Sequence, residues 1–181
     1  MQFHFHFEKT IQAAAVLLGL DGDRMETIRL LKLLYIADRE ILAETGTLIT
    51  GDKVVAMKHG PVLNQVHQLI RGQAARAGEW GDILRTVNHN VELRKPVGRG
   101  KLNRAEVDKL QEVSDRYRAA TVWEICDATH DFAEWRDNYT PNASTPIPWE
   151  AALAAQGKTA LIPAATEQEE LQQYLDTLFE P

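Results

Sequence analysis

The chain has 181 residues, enough for one domain whose core needs no disulfide or metal staple. Its 44% apolar and 25% charged content argues against disorder, no apolar run approaches the ~20 residues of a membrane span, and no signal peptide opens it. The net charge of −6 disfavours general nucleic-acid binding, although its distribution is uneven: −2 over residues 1–50, +5 over 51–110 and −9 over 111–181.

A single cysteine, Cys126, excludes an internal disulfide. These features predict a cytoplasmic protein. The basic middle and the acidic end either face one another or leave the acidic end for a basic partner.

Phe3, Phe5 and Phe7 alternate with His4 and His6, the period of a short strand. Two histidines on one strand face can chelate a metal, but no cysteine or carboxylate set of matching spacing accompanies them. They read as solvated residues beside a hydrophobic anchor. Ile11, Ala14, Ala15 and Leu18 then repeat at helical spacing and predict a first helix from Glu8 to Leu18, stopped by Gly19.

The stretch from Asp23 to Val62 organises the rest. Met25, Ile28, Leu31, Leu34, Tyr35, Ile41 and Leu42 predict one long, mostly buried helix. Asp23 with Glu26 gives it a capping-box start, and Gly46 gives it a left-handed end. Asp38 breaks the pattern, because helical spacing sets it inside the apolar stripe. A carboxylate costs several kcal/mol to bury unpaired, and Lys58 and His59 are the nearest candidates in sequence to hold it. Thr50-Gly51-Asp52 turns into a strand, Lys53 to Lys58. In His59-Gly60-Pro61-Val62, Pro61 fits the first position of a following helix with Val62, Val66, Leu69 and Ile70 buried and Gly72 as its end. His67 near that stripe reads as a satisfied helix histidine.

Gln73 to Asp82 is polar and predicts a loop or fraying turn, and Val87 to Arg94 a second strand. The two strands are expected to form one small antiparallel ribbon on the helices, since a lone hairpin is not stable in water. The basic segment Arg94 to Arg104 lacks a recognition helix. Asn103 with Glu106 caps a helix to about Tyr117, and a further helix from Ala120 to His130 turns Val122, Ile125, Cys126 and Thr129 inward.

Thr140 to Pro148 is a proline-punctuated extended linker, followed by a short helix from Trp149 to Ala155 and a loop to Ala165. The end is an amphipathic helix, Thr166 to Phe179, with Thr166 and Glu169 as its cap. Leu171, Tyr174, Leu175, Leu178 and Phe179 form one face, with Glu167, Glu169, Glu170 and Asp176 off it. Such a helix packs on its own domain or lies in the groove of a basic partner, so these five apolar residues are the candidate partner-binding set. The expected fold is mainly α (α+β): one helical domain over residues 1–150 with a two- or three-stranded antiparallel element, and a C-terminal extension, 151–181, packed on it.

His130 with Asp38 would supply the orienting half of a hydrolytic site. No GxSxG elbow, cysteine in a catalytic context, Gly-rich phosphate loop or HExxH supplies the rest. A buried polar network that fixes how the helices cross is therefore expected, with no catalysis, cofactor or metal.

Leu33-Leu34-Tyr35-Ile36-Ala37-Asp38, Thr50-Gly51-Asp52, Lys58-His59-Gly60-Pro61-Val62, and Thr129-His130 followed by Trp135 stand in the order of a known signature. On these residues the chain resembles the Panacea (SocA-like) antitoxin domain from roughly Glu8 to Trp149. The resemblance implies a non-enzymatic bacterial or phage antitoxin whose partner is a cognate toxin, bound directly. Its SocA-like branch implies a second role, an adaptor that hands the toxin to a Clp-type protease. The motif residues Tyr35, Asp38, Lys58, His59, Gly60, Pro61, Thr129, His130 and Trp135 are expected to gather round one buried polar cluster. The alternative outside this family is a His- or metal-dependent enzyme built on His59, His130 and Asp38. Neither a membrane nor a nucleic acid is expected as partner.

Overall fold

Helix α2 (Thr27–Thr45) is the axis of the molecule. Every residue from Arg29 to Asp38 is buried, so over about three turns it has no solvent face and is a core helix. It begins later than its sequence suggests. Gly22 and Asp23 take left-handed φ values of 78° and 64° in the turn after α1 (Phe7–Leu20), β1 (Arg24–Glu26) follows, and only then does α2 start. Gly19 therefore does not stop α1, and Asp23 caps nothing. At the other end Gly46 behaves as its spacing predicts, with φ 77° and its N–H donated to the Leu42 carbonyl.

The computed structural model describes residues 1–179. Its strands form two three-stranded antiparallel sheets rather than one ribbon or an all-helical fold. In the first, β2 (Val54–Met57) lies between β3 (Gly60–Leu63) and β6 (Thr145–Ile147). In the second, β5 (Asn90–Leu93) lies between β1 and β4 (Leu84–Val87). The two expected strands thus belong to different sheets, each completed by partners that their own patterns did not reveal.

Turn chemistry explains the difference. Met57 pairs with Gly60 across a two-residue hairpin turn at Lys58-His59, so Pro61 continues as strand and α3 (Asn64–Ile70) starts only at Asn64. Proline is tolerated there because β3 is an edge strand of its sheet. Asn88 and His89, at φ 46° and 66°, likewise fold the second run back on itself. The proline-punctuated linker contributes β6. The Phe3–Phe7 alternation makes no strand; instead the His6 N–H reaches the Thr50 carbonyl at 2.8 Å and α1 starts at Phe7.

Helix α4 (Ala77–Ile83) replaces the expected loop and is pinned by Trp80, which is almost wholly buried. Helices α5 (Arg104–Arg116) and α6 (Val122–His130) pack on α2. Both open with capping boxes, Asn103–Glu106 as expected and Thr121–Glu124. After α7 (Ala133–Arg136), α8 (Trp149–Ala155) spans the 150/151 boundary and buries Trp149, Ala152 and Leu153 in the core. Helix α9 (Ile162–Phe179) closes the described chain. Among the described residues no helix is long and apolar enough to cross a membrane.

Gly51 (φ 64°) is the closest approach in the fold, for a Cβ there would run into the His4 carbonyl oxygen. Gly51→Ala is expected to cost about 3 kcal/mol or more, because the obstacle is backbone and the conformation disfavours any side chain. Urea denaturation of the variant measures it; an unchanged midpoint would show that the N-terminal segment is not held against this loop.

Candidate functional site

Three knots of buried polar side chains tie the surrounding elements to α2. The first lies where the chain leaves α2 for β2. Asp38 is wholly buried, and neither Lys58 nor His59 holds it, since both are exposed. Its Oδ1 accepts the N–H groups of Ile49 at 2.7 Å and Thr50 at 3.1 Å, and its Oδ2 accepts the Thr50 hydroxyl. Two of these donors are backbone amides, which leave no mark in a side-chain pattern.

Thr50 passes the connection on. Its hydroxyl oxygen accepts the Asp52 N–H at 3.1 Å, and the buried Asp52 carboxylate accepts Lys53, Gln65 and Val66 amides at 2.7, 3.0 and 2.9 Å. Asp52 thereby caps α3 from outside that helix's own sequence. The Trp149 indole N–H donates to the Asp52 carbonyl at 2.9 Å and brings α8 onto the same corner. Burial pushes Asp38 from an ordinary 3.8 up to about 7 and Asp52 up to about 6, against the pull of these hydrogen bonds.

The second knot is centred on Glu134 of α7, only 1% exposed. The Tyr35 hydroxyl donates to it at 2.9 Å, and the Arg39 guanidinium pairs with both its oxygens. Arg39 also lies 4.0 Å over the Phe132 ring, and Tyr35 stacks on Trp149. Burial, then the Glu134 charge, holds the Tyr35 hydroxyl well above its usual range, so it remains a donor. Sequence reasoning missed Glu134 and Arg39, whose only signal was adjacency to Trp135 and Asp38.

The third knot joins β3 to α6. Gly60 has φ 98°, and a Cβ there would strike the Thr129 hydroxyl and lie 2.9 Å from Lys32 Nζ, so only glycine lets the strand approach. Lys32 is buried and donates to the Pro61 carbonyl at 2.6 Å; burial lowers it from 10.5 to about 7. The Thr129 hydroxyl donates to the Cys126 carbonyl at 2.8 Å. His130 stacks on Trp135 at 4.2 Å, Trp135 stacks on Tyr139 at 4.8 Å, and the Trp135 indole donates to the Met57 carbonyl at 3.0 Å. Burial, with Lys32 beside it, holds His130 below its usual range, and burial raises the Cys126 thiol. Both are neutral near pH 7.

The motif residues are thus shared among three knots instead of surrounding one. Asp38 is in the first, Tyr35 in the second, and Gly60, Pro61, Thr129, His130 and Trp135 in the third. Lys58 and His59 are exposed at the hairpin turn, where His59 meets Trp123 edge-on at 5.4 Å. The His130–Asp38 pair weighed as half of a hydrolytic site does not form: the carboxylate beside His130 is Asp127, 4.0 Å from Nδ1, while Asp38 is closed off by Ile49 and Thr50. Among the described residues no three His, Cys, Asp or Glu side chains converge as metal ligands would.

Helix α9 packs through one face. Ala165 is buried, Glu169 accepts the His4 N–H at 2.8 Å, and the Gln173 amide donates to the Gln2 carbonyl at 3.0 Å. On the other face Leu171, Tyr174 and Leu178 are 57%, 60% and 56% exposed and Leu175 is half-buried; the Phe179 side chain lies outside the described residues. Thr166 does not cap the helix, because its hydroxyl donates to the Ile162 carbonyl one turn inside it.

Compared with known proteins, residues 30–136 match a family model described as antitoxin SocA-like, Panacea domain. No curated protein and no solved structure matches the chain. The matched span holds all three knots except Tyr139 and Trp149, and it excludes α9.

Asp38→Ala leaves three buried donors without an acceptor and is expected to destabilise by about 3–5 kcal/mol, with Thr50→Val costing about 1–3 kcal/mol. Urea midpoints of the two variants decide whether this knot holds the fold. The titrations have opposite slopes. The folded state keeps the Asp38 proton that the unfolded chain releases, so that stability is lost as pH rises from 3.8 to about 7. Lys32 sheds its proton first in the folded state, so stability returns between about 7 and 10.5. Lys32→Met should abolish the alkaline recovery in a pH series of denaturation curves. A recovery that persists in the variant would assign it to another group.

Proposed function

We propose, on the premise that this chain belongs to the SocA-like Panacea antitoxin family, that it neutralises a cognate toxin by binding it directly. The family match carries the reading, and two physical features support it. The buried motif side chains Asp38, Tyr35 and Thr129, together with the buried Lys32, are hydrogen-bonded in holding the scaffold, which leaves recognition to residues outside the knots. Helix α9 lies outside the matched span and carries a bare apolar row beside Glu167 and Glu170, with no lysine or arginine from residue 159 onward.

The toxin contact we assign is Leu171, Tyr174, Leu175, Leu178 and Phe179. An amphipathic acidic helix of this kind suits a groove that is apolar at its floor and basic at its rim, so the toxin face it fits is cationic. A constant scaffold with recognition placed on a terminal helix also lets one fold serve different toxins.

Co-expression with the product of the neighbouring gene should relieve growth arrest, and the two proteins should co-purify. Leu171→Asp combined with Tyr174→Ala should abolish both while leaving the melting temperature unchanged, since the two side chains are exposed. Toxin half-life should stay constant or lengthen; a half-life shortened only when a Clp-type protease is present would replace occlusion by delivery. Unrelieved arrest with no complex would end the antitoxin reading.

A further inference from the structure

Helix α9 is attached by its polar face, the reverse of what its amphipathic pattern favours. Among its described residues only Ala165 and Glu169 are buried, so the one apolar side chain it buries is an alanine. That contact is close, for a Cβ on Gly46 would lie 3.7 Å from the Ala165 Cβ. Beyond it the helix holds on through polar groups. Glu169 accepts the His4 N–H at 2.8 Å and the Gln173 amide at 3.0 Å, and the same amide donates to the Gln2 carbonyl at 3.0 Å. Leu171, Tyr174 and Leu178 stand out in solvent.

What this face holds is itself a thin strap. Residues 2–6 lie between α9 and the loop that follows α2: the His6 N–H reaches the Thr50 carbonyl at 2.8 Å, and the His4 carbonyl oxygen fills the space a Cβ on Gly51 would take. Beside the strap a cleft of about 810 Å³ opens between α9 and the body, lined by Gln168, Gln172 and Thr177 of the helix and by Lys9, Lys101 and Asn103. A packed interior leaves no gap of that size. The turn that joins α9 to α8, residues 157–160, is exposed throughout. A helix that buries so little apolar surface belongs among the units that open locally while the core stays folded. With 18 residues it is longer than the about 12–15 below which a free helix is marginal in water.

We propose that α9 and residues 2–6 form a latch: α9 swings off the body on the 157–160 turn, Glu169 and Gln173 are its catch, and the toxin takes the released helix. The last step rests on the antitoxin reading above. A helix gripped in a groove presents anchors at i, i+3, i+4 and i+7, here Leu171, Tyr174, Leu175 and Leu178. In the docked position Leu175 is half-buried, and release completes the row. The docked form therefore weakens the apparent affinity for toxin in proportion to the fraction of chains that are open. The three knots take no part, so the fold outlasts the opening.

Nitroxides at Lys101→Cys and Thr177→Cys, on the two sides of the cleft, read its width in the full chain without any toxin; Cys126 is buried and stays unlabelled. Double electron–electron resonance should give mainly one short distance. Glu169→Ala with Gln173→Ala should shift the chain to a longer, broader distribution while the melting temperature stays the same, because the catch is lost and the knots are not. Glu169→Gln keeps an oxygen to accept the His4 N–H and should hold the short distance. A short distance that survives the double variant, or a broad distribution already present in the unaltered chain, would overturn the latch. So would a melting temperature that falls as α9 is released. The double variant should also bind the co-purifying toxin several-fold more tightly, and an open latch with unchanged affinity would overturn the last step. No complex at all would end the antitoxin reading and that step together, whereas the distance shift alone decides the latch.

Discussion

The fold depends on one carboxylate being met by the chain that follows it. Asp38 sits in the part of α2 that is buried all round, and its carboxyl is tolerable there only because Ile49 and Thr50 return to it with two amides and a hydroxyl. That return fixes the loop after Gly46, and the loop fixes Asp52. Asp52 in turn starts α3 and receives the Trp149 indole. One buried acid therefore sets the relative placement of α2, β2, α3 and α8.

The other two knots follow a similar logic with different chemistry. Glu134 is held by Arg39 and Tyr35, which reach it together. Lys32 has a single carbonyl acceptor, and burial favours its neutral form. Hydrophobic side chains of the same size would bury at less cost, so such groups are better understood as devices of geometry than as sources of stability. Each selects one way for a sheet edge or a short helix to cross α2, and Gly60 admits no side chain where β3 meets Lys32 and Thr129.

This arrangement separates scaffold from recognition. The groups with chemistry to offer are enclosed, stacked or neutral, whereas among the described residues the large apolar side chains open to solvent lie on α6 and α9. A protein built this way can change its surface without disturbing the knots, because no knot depends on a side chain of α9.

Sequence alone located the helices well where caps and spacing agreed, as for α5 with Asn103 and Glu106, α6, α8 and the Gly46 end of α2. It also singled out Asp38 as buried and the α9 row as amphipathic, because both follow from a period that the chain carries locally. Tertiary structure decided who meets whom. The partners of Asp38 are backbone amides, those of Tyr35 and Arg39 lie some 95 to 99 residues away, and the strand pairings depend on positive-φ turns that a periodic pattern does not encode. Whether a helix face is covered or bare is likewise fixed only when the rest of the chain has found its place.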